Sequence, residues 1–283
     1  MEPEEQRAAS RAHWDDAAEG WGRRADEIRE WGMPVARAMV DSLSLSLASG
    51  QRVLDLAAGP GDTGFLAAGA LGPAGSLICS DGAAAMVEVA RRRAAELGLS
   101  NVEFKQLELE WIDLGTASVD AVLVRWGIML AIDPLAAAKE IRRVLAPGGR
   151  AALAVWDAPE RNPWATIPSG ALAHLGLAEP PDPDAPGRFA LSGDGQLSGL
   201  LQDAGFTEVA VQAVPLDSRY AGVEDFIAES SDLSPTFSAT YHGLDDERRA
   251  RVVAAISSAL APYATADGAV AVPGSSLVAA ASA

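Results

Sequence analysis

The chain has 283 residues, 49% of them hydrophobic and 22% charged, with a formal net charge of -17. That length holds one large α/β domain with additions, or two small domains, and the composition argues against a disordered chain. The acidity opposes a nucleic-acid partner, which needs a basic face to displace phosphate counterions. No apolar run is long enough to span a bilayer. The N-terminus MEPEEQRAAS does not read as a secretory signal, and the lone Cys79 has no disulfide partner within the chain. Together these features predict a cytoplasmic protein.

In chain order, residues 1–50 read as a helical cover rich in Ala, Glu and Arg, closed by SLSLSLASG. From 51 to 157 the hydrophobic period switches repeatedly. QRVLDLAAG, SLICSD, VEFKQL, VDAVLVRW and RAALAVWD read as strands. GDTGFLAAGALG, GAAAMVEVARRRAAELG and DPLAAAKEIRRVL read as helices, the last opened by Asp133–Pro134 and closed by APGG. Alternation of this kind predicts an α/β fold with a mostly parallel sheet and helices on both faces. Residues 158–190 read as a long Pro-rich connection. The remainder, 158–283 as a whole, completes the sheet: GDGQLSGLLQDAGF reads as a helix and TEVAVQAVPL as a strand. A helical insertion over about 221–265 follows, then a last strand SSLVAAASA after a turn at Pro273–Gly274.

The strongest motif is VLDLAAGPGDTG, residues 53–64. Gly59, Gly61 and Gly64 satisfy G-x-G-x-x-G at a strand exit, and Asp81 closes the next strand, where a ribose-binding acid belongs. A dinucleotide and a phosphate-free adenosyl ligand both fit this spacing. Asp55 and Asp62 flank the glycines, which disfavours a pyrophosphate and suits a ligand bearing ammonium and sulfonium charges. The plainer alternative is a tight turn at Gly59–Pro60–Gly61.

Further candidates surround this loop. Asp81 can accept two ribose hydroxyls, or cap the next helix. Gly82 leaves room for the ribose, and Met86 can cover an adenine face or simply fill the core. Glu108 suits the adenine amino group, and Leu109 offers a backbone N–H and an apolar wall. Arg125 ends the fourth strand, where its carbonyl can accept an ammonium. His13, His174 and His242 lie outside the motif core, so the residues name no catalytic base, and no spacing suggests a metal.

These pieces, with LELEWIDL, VDAVLVRWGIML and IRRVLAPGGR, resemble the class I S-adenosylmethionine-dependent methyltransferases over about residues 51–157, in the expected order. Within that class they are similar to quinone-biosynthesis C-methyltransferases. The resemblance implies a Rossmann-like seven-stranded sheet with the last strand antiparallel. It implies S-adenosylmethionine contacts for Asp55, Gly59, Gly61, Asp81, Met86 and Glu108, and an aromatic cover from Trp14 or Trp21 in HWDDAAEGW. Pro60 and Glu108 depart from the commoner Thr or Ser and Asp. The implied enzyme moves a methyl group to O, N or C of a hydrophobic or aromatic small molecule held under a helical lid. The alternatives are a non-catalytic cofactor-binding module of the same fold and an NAD(P)-dependent oxidoreductase. The aromatics of the predicted lid, from Trp14 to Tyr241, are read either as that pocket or as packing.

Overall fold

The computed structural model describes residues 3–45, 50–179 and 187–283. Part of SLSLSLASG and most of the Pro-rich EPPDPDAPGRF stretch lie outside these residues. In chain order the elements are α1 (Pro3–Arg23), α2 (Ala25–Ser42), β1 (Arg52–Asp55), α3 (Asp62–Leu71), β2 (Ser76–Asp81) and α4 (Ala84–Glu96). They continue with β3 (Val102–Gln106), β4 (Val119–Arg125), α5 (Pro134–Val144), β5 (Leu145–Trp156), α6 (Pro163–His174) and α7 (Gln196–Asp203). The chain ends with β6 (Thr207–Tyr220), α8 (Val223–Leu233), α9 (Pro235–His242), α10 (Asp246–Leu260) and β7 (Val270–Ser282).

One seven-stranded sheet runs β3-β2-β1-β4-β5-β7-β6. The first five strands pair in parallel, and β7 is antiparallel to both β5 and β6, as the resemblance implies. The central strands are apolar on both faces: Val53, Leu54, Val122, Leu123 and Leu153 are wholly buried. Strand order reverses between β1 and β4, so their carboxyl ends splay and leave a crevice. α5 starts where its sequence dictates. Asp133 Oδ1 accepts the Ala136 amide at 2.9 Å, and Pro134 fills the first turn, where no donor is needed.

Three expectations are corrected. Part of the 158–190 connection is helix α6, with Pro163 in its first turn and Pro168 inside it. Its apolar side, Ala165, Pro168, Ala171 and Leu172, is buried, and that packing offsets the bond lost at Pro168. The APGG stretch belongs to β5, whose pairing with β4 shifts register between Val119 and Ala121. The last strand has no turn at Pro273–Gly274, which pair in line with Asp217 and Leu216. Its alanines suit a central position: Ala279 and Ala281 are fully buried between neighbouring strands, and burial outweighs weak intrinsic propensity.

The 221–265 insertion is helical, as α8, α9 and α10. Phe226, Phe237 and Tyr241 from it join Tyr220, Val252 and Ile256 in an apolar cluster separate from the main core. Among the described residues no helix is long and apolar enough to cross a membrane.

Candidate active site

A cavity of about 140 Å³ opens over the carboxyl ends of β1, β2 and β4. At about 30 Å³ per water that is space for roughly five waters, enough to admit an organic group. Its floor is the loop after β1. Gly59 has φ +55°, and the direction a Cβ would take meets nothing within 4 Å, so backbone lies open to the cavity. Ala57 and Trp126 line it from the two strand exits, and both hold left-handed backbone (φ +50° and +59°) without being glycine. Such strain costs about 1–3 kcal/mol per residue and clusters at working sites. Gly127 permits the close approach: a Cβ there would sit 2.5 Å from that of Ala57.

Asp81 ties the floor together. Its Oδ2 accepts the Gly59 amide at 3.0 Å, and its Oδ1 accepts the Ala83 amide at 3.0 Å. Burial pushes its carboxyl up to about 6, against the two amides that favour the anion. One lone pair on each oxygen remains for a ligand. Gly82 follows, facing Glu108 Oε2.

Helix α1 is the roof. Arg7, Arg11, Trp14 and Trp21 line the cavity from one helical face. Arg7 bonds Glu110, and Arg11 Nη1 donates to Glu108 Oε1 at 2.9 Å. Asp15 Oδ1 accepts the Ala85 amide at 2.9 Å, which fixes α1 to the start of α4. Trp14 and Trp21 meet edge to face at 5.7 Å above Met86, which both lines the cavity and packs beneath them.

Of the residues singled out in the sequence, Trp14, Trp21, Gly59, Pro60, Asp81, Gly82, Met86, Glu108, Leu109 and Arg125 share this cavity. Asp55 and Gly61 do not line it. Asp55 is buried, with Oδ2 accepting the Gly64 amide at 2.8 Å, and burial pushes its carboxyl up to about 7 although Arg125 opposes this. Gly61 (φ +93°) begins α3, and a Cβ there would strike the Phe65 ring at 2.3 Å. The supposed acidic flank of the loop is therefore corrected. Asp62 lies buried behind it, with Oδ1 accepting from Arg93 at 2.9 Å and Oδ2 3.7 Å from Arg125. The acids that meet the cavity are Asp81, Glu108 and Glu110. The sequence reading missed Arg7 and Arg11, whose signal was their spacing with Trp14 on one helical face, and Glu110, two residues past Glu108.

Trp31 and Trp164 belong to a cluster with Trp126 and Trp156, with the Trp126 and Trp156 rings stacked at 4.1 Å. They pack α2 and α6 onto the strand ends. None of the three histidines lines the cavity, and no group of potential metal ligands is found among the described residues.

Residues 47–173 match the family model described as a methyltransferase domain. Those residues hold the glycine loop, Asp81, Glu108 and the β4 exit. Over those residues the chain is similar to the S-adenosylmethionine-dependent methyltransferases. The chain is 32% identical over 118 residues to the ubiquinone/menaquinone biosynthesis C-methyltransferase UbiE of Coxiella burnetii, covering 41% of this chain and 47% of that one. It is 30% identical over 186 residues to an arsenite methyltransferase of Halobacterium salinarum, covering 65% and 44%. It thus spans about half the length of the curated relatives it matches. The chain shares its fold with YcgJ of Bacillus subtilis, at TM-score 0.57 and 22% identity over 87% of this chain and 97% of that one.

Proposed function

We propose that this chain is an S-adenosylmethionine-dependent methyltransferase acting on O, N or C of a hydrophobic or aromatic small molecule. The observation that carries the reading is Asp81 poised beside the open Gly59 backbone within one roofed cavity. The lining fits the cofactor. Asp81 offers two acceptors to the ribose, Gly59 admits close approach, Met86 and Leu109 supply apolar walls, and Glu108 offers an acceptor to the adenine amine.

S-adenosylmethionine supplies, when bound, a methyl group already activated on a positive sulfur. The chain's part is placement and shelter. Asp81 and the loop orient the donor, Trp14 and Trp21 exclude water from above, and Trp126 and Leu130 wall the side where an acceptor would approach. Holding two reactants in line is worth roughly 7–11 kcal/mol, which accounts for a transferase with no histidine at the cavity. We place the reaction in the cytoplasm, where buried Cys79 stays a thiol. We take a small molecule and not nucleic acid as the acceptor, in keeping with the net charge of -17.

Titration calorimetry with S-adenosylmethionine and S-adenosylhomocysteine, followed by mass spectrometry of an aromatic acceptor panel for gain of one methyl, tests this. We expect both cofactor forms to bind. Failure of both at millimolar concentration ends the proposal, and binding with no transfer to any acceptor returns the non-catalytic module.

A further inference from the structure

Arg125 closes β4 beside the glycine loop and lines the cavity, yet it is only 9% exposed. Its Nη1 has no hydrogen-bond partner among the described residues. Its Nη2 comes no closer than 3.7 Å to Asp62 Oδ2, outside hydrogen-bond range. Asp62 gives its other oxygen to Arg93 at 2.9 Å, and Arg93 also donates to the Pro60 carbonyl at 2.7 Å. A buried guanidinium with donors unmet is costly. Burial accordingly holds Arg125 below its ordinary value, with Asp62 and Asp55 pulling the other way.

The surroundings nevertheless hold it in place. The guanidinium lies 4.4 Å from the Trp126 ring centroid. Gly32 of α2 leaves its space: a Cβ there would come within 2.6 Å of Nη1. Two guanidiniums thus face two buried carboxylates behind the loop, Arg93 also lying 3.7 Å from the exposed Asp26, and of the buried pair Asp55 is pushed by burial to about 7 and is only partly ionised at neutral pH. The balance favours an incoming anion.

We propose that the Arg125 guanidinium is the seat of a carboxylate carried by the amino-acid end of the ligand on the glycine loop. This rests on the cofactor reading above and goes beyond it: it gives the β4 exit a side-chain role where the sequence offered only a backbone carbonyl. The carboxylate is assigned to the donor because Arg125 adjoins Ala57 and Trp126 at the strand-order switch.

The test compares S-adenosylhomocysteine with its decarboxylated form, which keeps the amine, by calorimetry on the full chain. Wild type, Arg125→Met and Arg125→Lys are each measured. Wild type should prefer the carboxylate form by at least about tenfold. Arg125→Met should erase that preference while binding the decarboxylated form within about twofold of wild type. Arg125→Lys, which keeps the charge opposite Asp62, should retain part of the preference, and it carries the test if Arg125→Met does not fold. A preference that survives both variants overturns the proposal and leaves the cofactor reading standing. Equal weakening of both ligands shows a structural role and also overturns it. An effect confined to the KM of the acceptor assigns the anion to the acceptor and overturns it too. Wild type binding neither ligand ends both readings.

Discussion

Asp81 and Gly59, 22 positions apart, are joined by a 3.0 Å bond from the Gly59 amide to Asp81 Oδ2. The second strand exit thereby sets the shape of the loop at the first. The carboxylate that lines the cavity is also the one that holds its floor, so on the proposed reading binding and loop order should be coupled. Asp81→Ala should weaken S-adenosylhomocysteine by about 1.5–3 kcal/mol and lower the melting temperature, because the Gly59 and Ala83 amides lose their acceptor. Asp81→Asn keeps one acceptor oxygen and should fall between. Calorimetry and thermal melts check both, and unchanged affinity in Asp81→Ala would leave the residue with a structural role alone.

The two glycines of the loop should separate. Gly59→Ala puts a methyl into open cavity at φ +55°, with a strain of about 1–2 kcal/mol and obstruction of the ligand. Gly61→Ala adds to the same kind of strain a collision with the Phe65 ring, about 1–3 kcal/mol more. We expect Gly59→Ala to lose affinity more than stability and Gly61→Ala the reverse. Urea unfolding beside ligand titration reads the crossing.

Trp14 is the aromatic expected to touch the ligand from above. Trp14→Ala should cost about 1–2 kcal/mol of stability, since the ring is half-buried, and about 2–10-fold in S-adenosylhomocysteine affinity. Ligand-induced quenching of tryptophan fluorescence should shrink in the same variant. Quenching that is unaltered would place the ligand away from α1.

Glu229 gives a pH signature remote from the site. It is buried, accepts the Tyr220 hydroxyl at 2.9 Å, and burial raises its carboxyl from 4.5 to about 7. The folded chain therefore holds a proton there that the unfolded chain releases. The resulting stability is full below about 4.5 and is lost as pH rises through about 7. Glu229→Gln still accepts the hydroxyl and does not titrate. Relative to wild type it should gain about 2–3 kcal/mol between pH 5 and pH 8, measured by urea unfolding at both. A parallel response in the two proteins would show that Glu229 ionises freely.

Much of the sheet was legible because its central strands are apolar on both faces and because β1 and β2 close on Asp. Asp133–Pro134 announced α5, and the glycine loop announced β1 and α3. Helix α6 was not legible: Pro163, Pro168 and its neighbours carry little helical signal, and the burial of Ala171 and Leu172 stabilises it. The site divided in the same way. Gly59, Asp81 and Glu108 could be placed from their distance to strand ends. The burial of Asp55 and Asp62 could not, because a carboxylate beside a glycine loop reads alike whether it faces the ligand or an arginine 31 residues on.

By itself, then, the sequence determined the alternation of strands and helices, the glycine exit and the acid after β2, since these follow from local period and from residues that only certain backbones accept. The tertiary structure alone decided that Asp55 and Asp62 turn away from the cavity while Glu110 meets it, that Arg7 and Arg11 line it, and that Arg125 Nη1 has no acceptor among the described residues. Those facts depend on side chains distant in sequence competing for the same few atoms. Burial then sets which charges stay bare, and no local pattern encodes that outcome.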